Sequence, residues 1–162
     1  TIFEKANVDI EDVIIIVDEA HNLPSRTRSL FTASLSIPLI ENSITECERF
    51  GYYNEGEKLE RLQTAVKRLA SDKLGLGDHE QEIDKDDFKE PVENIQDIGE
   101  FVVALEEVAE EVRDEKEQSH CASIAEFLES WDGDDRGFIR FLKRERKAGG
   151  NRVIKIKYSC LY

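Results

Sequence analysis

Residues 98–112 read IGEFVVALEEVAEEV, and in them Ile98, Phe101, Val102, Leu105, Val108, Ala109 and Val112 recur at spacings of three and four. That spacing puts these seven side chains on one face of a helix and leaves the opposite face largely to glutamate. A strand needs alternation, which this stretch lacks, so it predicts a helix of about four turns with one buried face.

Working outward, the same period appears three more times. Ser36 is a candidate cap with Pro38 in the first turn, followed by Ile40, Ile44 and Cys47, with Gly51 as the stop. Asn54 and Glu57 have capping-box spacing ahead of Leu59, Leu62, Val66 and Leu69. Ser119 precedes Ile124, Leu128 and Trp131, and the turn-prone DGDD at 132–135 ends that helix. The stretch from Gly75 to Lys89 is acid-rich and short of apolar residues, which predicts an exposed or mobile loop. Residues 31–37 alternate Phe31, Ala33, Leu35 and Ile37 with Thr and Ser, the pattern of a short strand or of the approach to a helix.

The pattern changes near the C-terminal end. GFIRFLKRE and RVIKIKYSCLY alternate apolar with basic residues around Gly149, Gly150 and Asn151, and so predict a β-hairpin. Phe138 and Ile139 fall on opposite faces, while the register of Phe141 is not fixed. In the second strand Ile154, Ile156 and Tyr158 oppose Lys155 and Lys157. The fold class is therefore mainly α with a minor β part.

Charge divides the chain as sharply as hydropathy does. The formal net charge is −14, but residues 136–162 hold nine Lys and Arg against the single acid Glu145, giving +8 there and −22 over the rest. The basic segment suits either a polyanion or the acidic helices of the same molecule. No run approaches the eighteen or so apolar residues of a membrane span. The three cysteines, Cys47, Cys121 and Cys160, are widely spaced, which disfavours a disulfide framework or a closed cysteine metal site and suits a reducing, intracellular compartment. His120 beside Cys121 lacks a third ligand at useful spacing. With no methionine anywhere, the chain has the look of a piece of something longer.

At the other end, residues 13–23 read VIIIVDEAHNL. Residues 12–17 have the composition of a buried strand, and a hydrophobic strand ending in Asp-Glu has the form of a Walker B element. Such carboxylates stand where α/β folds bind ligands. Asp18 is the candidate magnesium ligand, through water, and Glu19 the candidate for orienting or deprotonating an attacking water. His21 is the candidate reporter of nucleotide state. Acids capping a following helix are the plainer alternative.

IIIVDEAHNL resembles motif II of DEAH-type superfamily 2 helicases, and Asn22-Leu23 makes it most similar to the XPD (xeroderma pigmentosum group D) family. The resemblance implies a helical, acidic insertion directly after motif II, the Arch domain, and a hairpin that returns the chain to the motor with an SC sequence. Residues 1–35 then correspond to part of the first motor domain, 36–133 to the Arch and 134–162 to the returning hairpin.

It further implies a parent that uses ATP and magnesium to move 5′ to 3′ on single-stranded DNA in nucleotide excision repair, with repair or transcription proteins docking on the Arch. That parent is cytoplasmic if archaeal and nuclear if eukaryotic, and it carries an iron–sulfur cluster ahead of motif II, at a position none of these cysteines occupies. The sequence has no phosphate loop of the GxxxxGK[ST] form, so the chain alone is expected to be inactive. Arg26, Arg28, Arg140, Lys143, Lys155 and Lys157 are the candidates for DNA contact. An autonomous acidic helical interaction module, without nucleotide chemistry, is the alternative.

Overall fold

The computed structural model describes residues 14, 16, 18–75, 80–115, 118–133, 135–146 and 152–161. A 3-10 turn at Ala20–Asn22 leads into α1 (Leu23–Leu30), β1 (Ala33–Ser36), α2 (Ile37–Phe50) and α3 (Tyr53–Lys73). Then come β2 (Glu80–Glu82), α4 (Lys85–Glu93), α5 (Ile98–Glu115), α6 (His120–Trp131), β3 (Phe138–Arg146) and β4 (Arg152–Cys160). The fold is mainly helical with one small antiparallel sheet, as the patterning predicts.

The caps explain where α2 and α6 begin. Ser36 Oγ accepts the amide of Leu39 at 3.3 Å, and Ser119 Oγ accepts that of Ala122 at 3.3 Å. α2 ends at Gly51, whose φ of 82° lies in the left-handed region that a side chain disfavours. The expected capping box at Asn54 and Glu57 does not form. α3 already starts at Tyr53, and Asn54 Nδ2 donates to Glu55 Oε1 instead. Only Gly51 and Tyr52 separate α2 from α3, and packing of Tyr52 against the core fixes the start of α3 without a side-chain cap.

The segment expected as a loop, Gly75 to Lys89, holds regular structure among its described residues. It contains β2 and the first turns of α4, with Leu74, Ile83, Phe88 and Val92 buried around them. Its acids act locally: Asp87 accepts the Asp84 amide at 3.0 Å, and Asp86 and Asp87 lie in the first turn, where the helix dipole favours negative charge. Few apolar residues suffice because Phe88 is large. Its ring meets Phe127 and Trp131 edge-on, at centroid distances of 5.8 and 5.0 Å.

The sheet runs in the order β1-β4-β3-β2, with every neighbouring pair antiparallel. The predicted hairpin is present with Phe138 opposite Cys160 and Arg146 opposite Arg152; its turn residues lie outside the described ones. The face carrying Leu35, Leu142, Ile156 and Tyr158 packs into the same core as the helices. The expected boundary at 35/36 falls inside β1, and the one at 133/134 between α6 and β3. Pairing of Ala33 with Tyr158 and of Ser36 with Lys155 places β1, which precedes the main helices, beside the second strand of the hairpin that follows them.

Of the strand expected at residues 12–17, only Ile14 and Ile16 are among the described residues. Both are 90% exposed and in no strand. A strand buried on both faces needs parallel neighbours, and the described residues form only an antiparallel sheet.

Candidate functional site: the acidic motif and the basic sheet face

Asp18 and Glu19 precede the 3-10 turn that opens α1. Glu19 adopts φ 55° and ψ 38°, and among the described residues it is the only non-glycine residue with positive φ. That conformation costs an L-residue about 1–2 kcal/mol, so the turn presenting this carboxylate is strained. Asp18 Oδ1 accepts the Glu19 amide at 2.9 Å, and Glu19 Oε2 lies 3.1 Å from His21 Nδ1. Glu19 and His21 are thus brought together, both about two-thirds or more exposed at 68% and 72%.

Two adjacent carboxylates are the right chemistry for a hydrated hard cation. Among the described residues, however, no group of three or more His, Cys, Asp or Glu is arranged to hold a metal. Arg26 and Arg28 follow on α1 and are exposed. The motif helix is tied to the sheet by Thr32 Oγ1 and Ser159 Oγ, 3.0 Å apart.

The basic hairpin divides between two faces. Lys143, Lys155 and Lys157 lie on the face away from the helices, and strand parity puts Phe141 among them. Lys157 Nζ sits 5.7 Å from the Phe141 ring centroid. Acids share this face: Lys155 pairs with Glu145 at 2.7 Å, and Lys143 with Glu80 at 3.2 Å and Glu145 at 3.5 Å. The hydrogen bond to Glu80 raises the pKa of Lys143, and the one from Lys155 lowers that of Glu145. The face is a plate of alternating charge around an aromatic ring.

Arg140, expected as a DNA-contact candidate, is instead internal. It alternates with Phe138 and Leu142 on the inward face and is 6% exposed. Its guanidinium donates to Trp131 O at 2.8 Å and Gly133 O at 3.0 Å and pairs with Asp135. Trp131 and Tyr158 flank it, with ring centroids 5.3 and 4.7 Å away. Gly133 closes this cluster, since a Cβ there would stand 2.8 Å from Tyr158 Oη. Burial uses all of this arginine's chemistry for the fold.

A cleft of about 1170 Å³ lies elsewhere, between α3 and α4, lined by residues of both signs including Glu60, Arg61, Arg68, Asp72, Asp86 and Glu90. Sequence reasoning missed Phe141 as part of the basic face and Glu46 as a buried carboxylate. Among the described residues, no helix is long and apolar enough to cross a membrane. No protein-family model matches the chain.

Proposed function

We propose that this chain is the motif II and Arch segment of an intracellular, XPD-family, ATP-dependent 5′–3′ DNA helicase of nucleotide excision repair. The observation that carries the proposal is the pairing of β1 with β4. Helices α2 to α6 follow β1 and give way to the β3–β4 hairpin, whose second strand is hydrogen-bonded to β1. That arrangement supports the reading of a domain inserted into a host.

In this reading Asp18 is the carboxylate for a hydrated magnesium ion and Glu19 the one that orients or deprotonates water, beside His21. The ion and ATP supply the phosphoryl chemistry when bound, and the phosphate-binding part of the site comes from the rest of the parent. The iron–sulfur cluster likewise belongs to the parent. The outward sheet face is the DNA-facing surface, with lysines for phosphates and Phe141 for a base. Arg26 and Arg28 lie between it and the motif in sequence. Repair or transcription proteins dock on the helices.

The second reading, an acidic protein-interaction module, is favoured by the α3–α4 cleft, which lies apart from the basic sheet face. Fluorescence anisotropy with a labelled single-stranded oligonucleotide separates the two. The helicase reading predicts affinity that falls steeply between low and moderate salt, as counterion release requires. Lys155→Glu with Lys157→Glu should then weaken binding by about tenfold or more. Salt-independent binding, or affinity unchanged by the double substitution, favours the module.

A further inference from the structure

Cys47 on α2 and Cys121 on α6 are both fully buried, and their sulfurs stand 3.8 Å apart although 74 positions separate them in sequence. We infer that Cys47 and Cys121 are a built dithiol pair, a modification site at which a peroxide-class oxidant forms a reversible disulfide clamping helices α2 and α6 together. This inference is independent of the helicase reading.

The sulfurs start close together. A disulfide bond is about 2.05 Å long, so the sulfurs must close by under about 2 Å. The two cysteines sit where the α2–α3 pair of helices meets the α5–α6 pair, so a bond there fastens one helical pair to the other. Around them α2 is already fixed to the start of α6. Glu46 Oε2 accepts from Ser119 Oγ at 3.0 Å, from the His120 amide at 2.8 Å and from the Cys121 amide at 3.0 Å. Cys121 Sγ also lies 3.7 Å from Ser43 O.

The same surroundings set the rate. The contact with Cys47, burial, and the nearby Glu46 carboxylate all push the Cys121 thiol above its ordinary range. The thiolate is the reactive form, so the pair is quiet until the α2–α6 contact opens.

The chemistry balances with hydrogen peroxide. One thiolate attacks a peroxide oxygen, the O–O bond breaks, and hydroxide leaves to be protonated to water, giving a sulfenic acid. The second thiolate attacks that sulfur, the S–O bond breaks, and a second water is released. Two thiols and one peroxide become one disulfide and two waters, with sulfur oxidised and peroxide oxygen reduced.

The test treats the reduced full chain with hydrogen peroxide and measures intact mass, non-reducing peptide maps and the unfolding temperature. The expected result is loss of two hydrogens, a Cys47–Cys121 linked peptide, and an unfolding temperature raised by roughly 5–15 °C, since the bond closes a long loop of the unfolded chain. A thiol reductant reverses all three. Cys160→Ser keeps the behaviour and Cys47→Ser loses it. If Cys47→Ser fails to fold, the peptide map and the reversal in Cys160→Ser still decide. A link through Cys160, sulfinic or sulfonic products without a link, or a Cys47–Cys121 link that leaves the unfolding temperature unchanged or lower, overturns the inference.

Discussion

Glu46 and Arg140 are buried charged residues whose roles lie in the fold itself. Glu46 collects three donors at the start of α6 with one oxygen, while among the described residues its other oxygen, Oε1, has no partner. Glu46→Gln keeps the shape but removes the charge that strengthens those bonds, and should cost about 1–3 kcal/mol. An unchanged urea midpoint would contradict that role. Arg140→Lys should cost about 2–4 kcal/mol, because an ammonium cannot reproduce the planar fork that reaches Trp131 O, Gly133 O and Asp135. Full retention of the unfolding temperature would show that the guanidinium contributes little. Both residues were legible in part. Arg140 alternates with Phe138 and Leu142, and Glu46 stands next to Cys47 of the predicted stripe, on the face of α2 that the structure buries. What the sequence could not reveal was the partner of each, because those partners lie on other elements.

Helix α4 shows how an element hides in composition. Its acids resemble a solvated loop, yet they hold its start, and Lys85 and Lys89 each bond the Asp132 carboxylate at 2.9 Å beyond the end of α6. The strongly periodic elements, α5 above all, were legible because the apolar stripe repeats over several turns. α4 has only Phe88 and Val92 to show, too few to establish a period. The ion pairs carry a pH dependence. Lys89 first, then Lys85, hold the Asp132 carboxyl below the usual range, and Lys73 does the same for Asp87. With folded pKa values below the unfolded ones, protons bind the unfolded chain preferentially. Stability from these groups is complete above the ordinary carboxylate pKa of about 4 and is lost as pH falls through the folded values. Asp132→Asn should lower the unfolding temperature at neutral pH and flatten its decline below about pH 4. An identical acid profile in the variant would remove Asp132 from that role.

At the scale of the molecule, the helices and the returning hairpin form one body over one sheet, with the leading and returning strands side by side. Hydropathy supplied the strongly periodic helices and the hairpin, but not β2, α4 or the β1–β4 pairing, which is a contact between distant positions. In the described part of VIIIVDEAHNL, Asp18 to Leu23 form an exposed turn strained at Glu19, which lies against His21 and apart from the core. The central claim is that Glu19 is the water-activating carboxylate of a DNA-stimulated ATPase, and the direct measurement is steady-state ATP turnover with single-stranded DNA by the whole enzyme carrying this chain. Glu19→Gln is predicted to lower turnover by about a hundredfold or more while leaving ATP affinity largely intact. Turnover in Glu19→Gln equal to that of the unaltered enzyme would contradict the account.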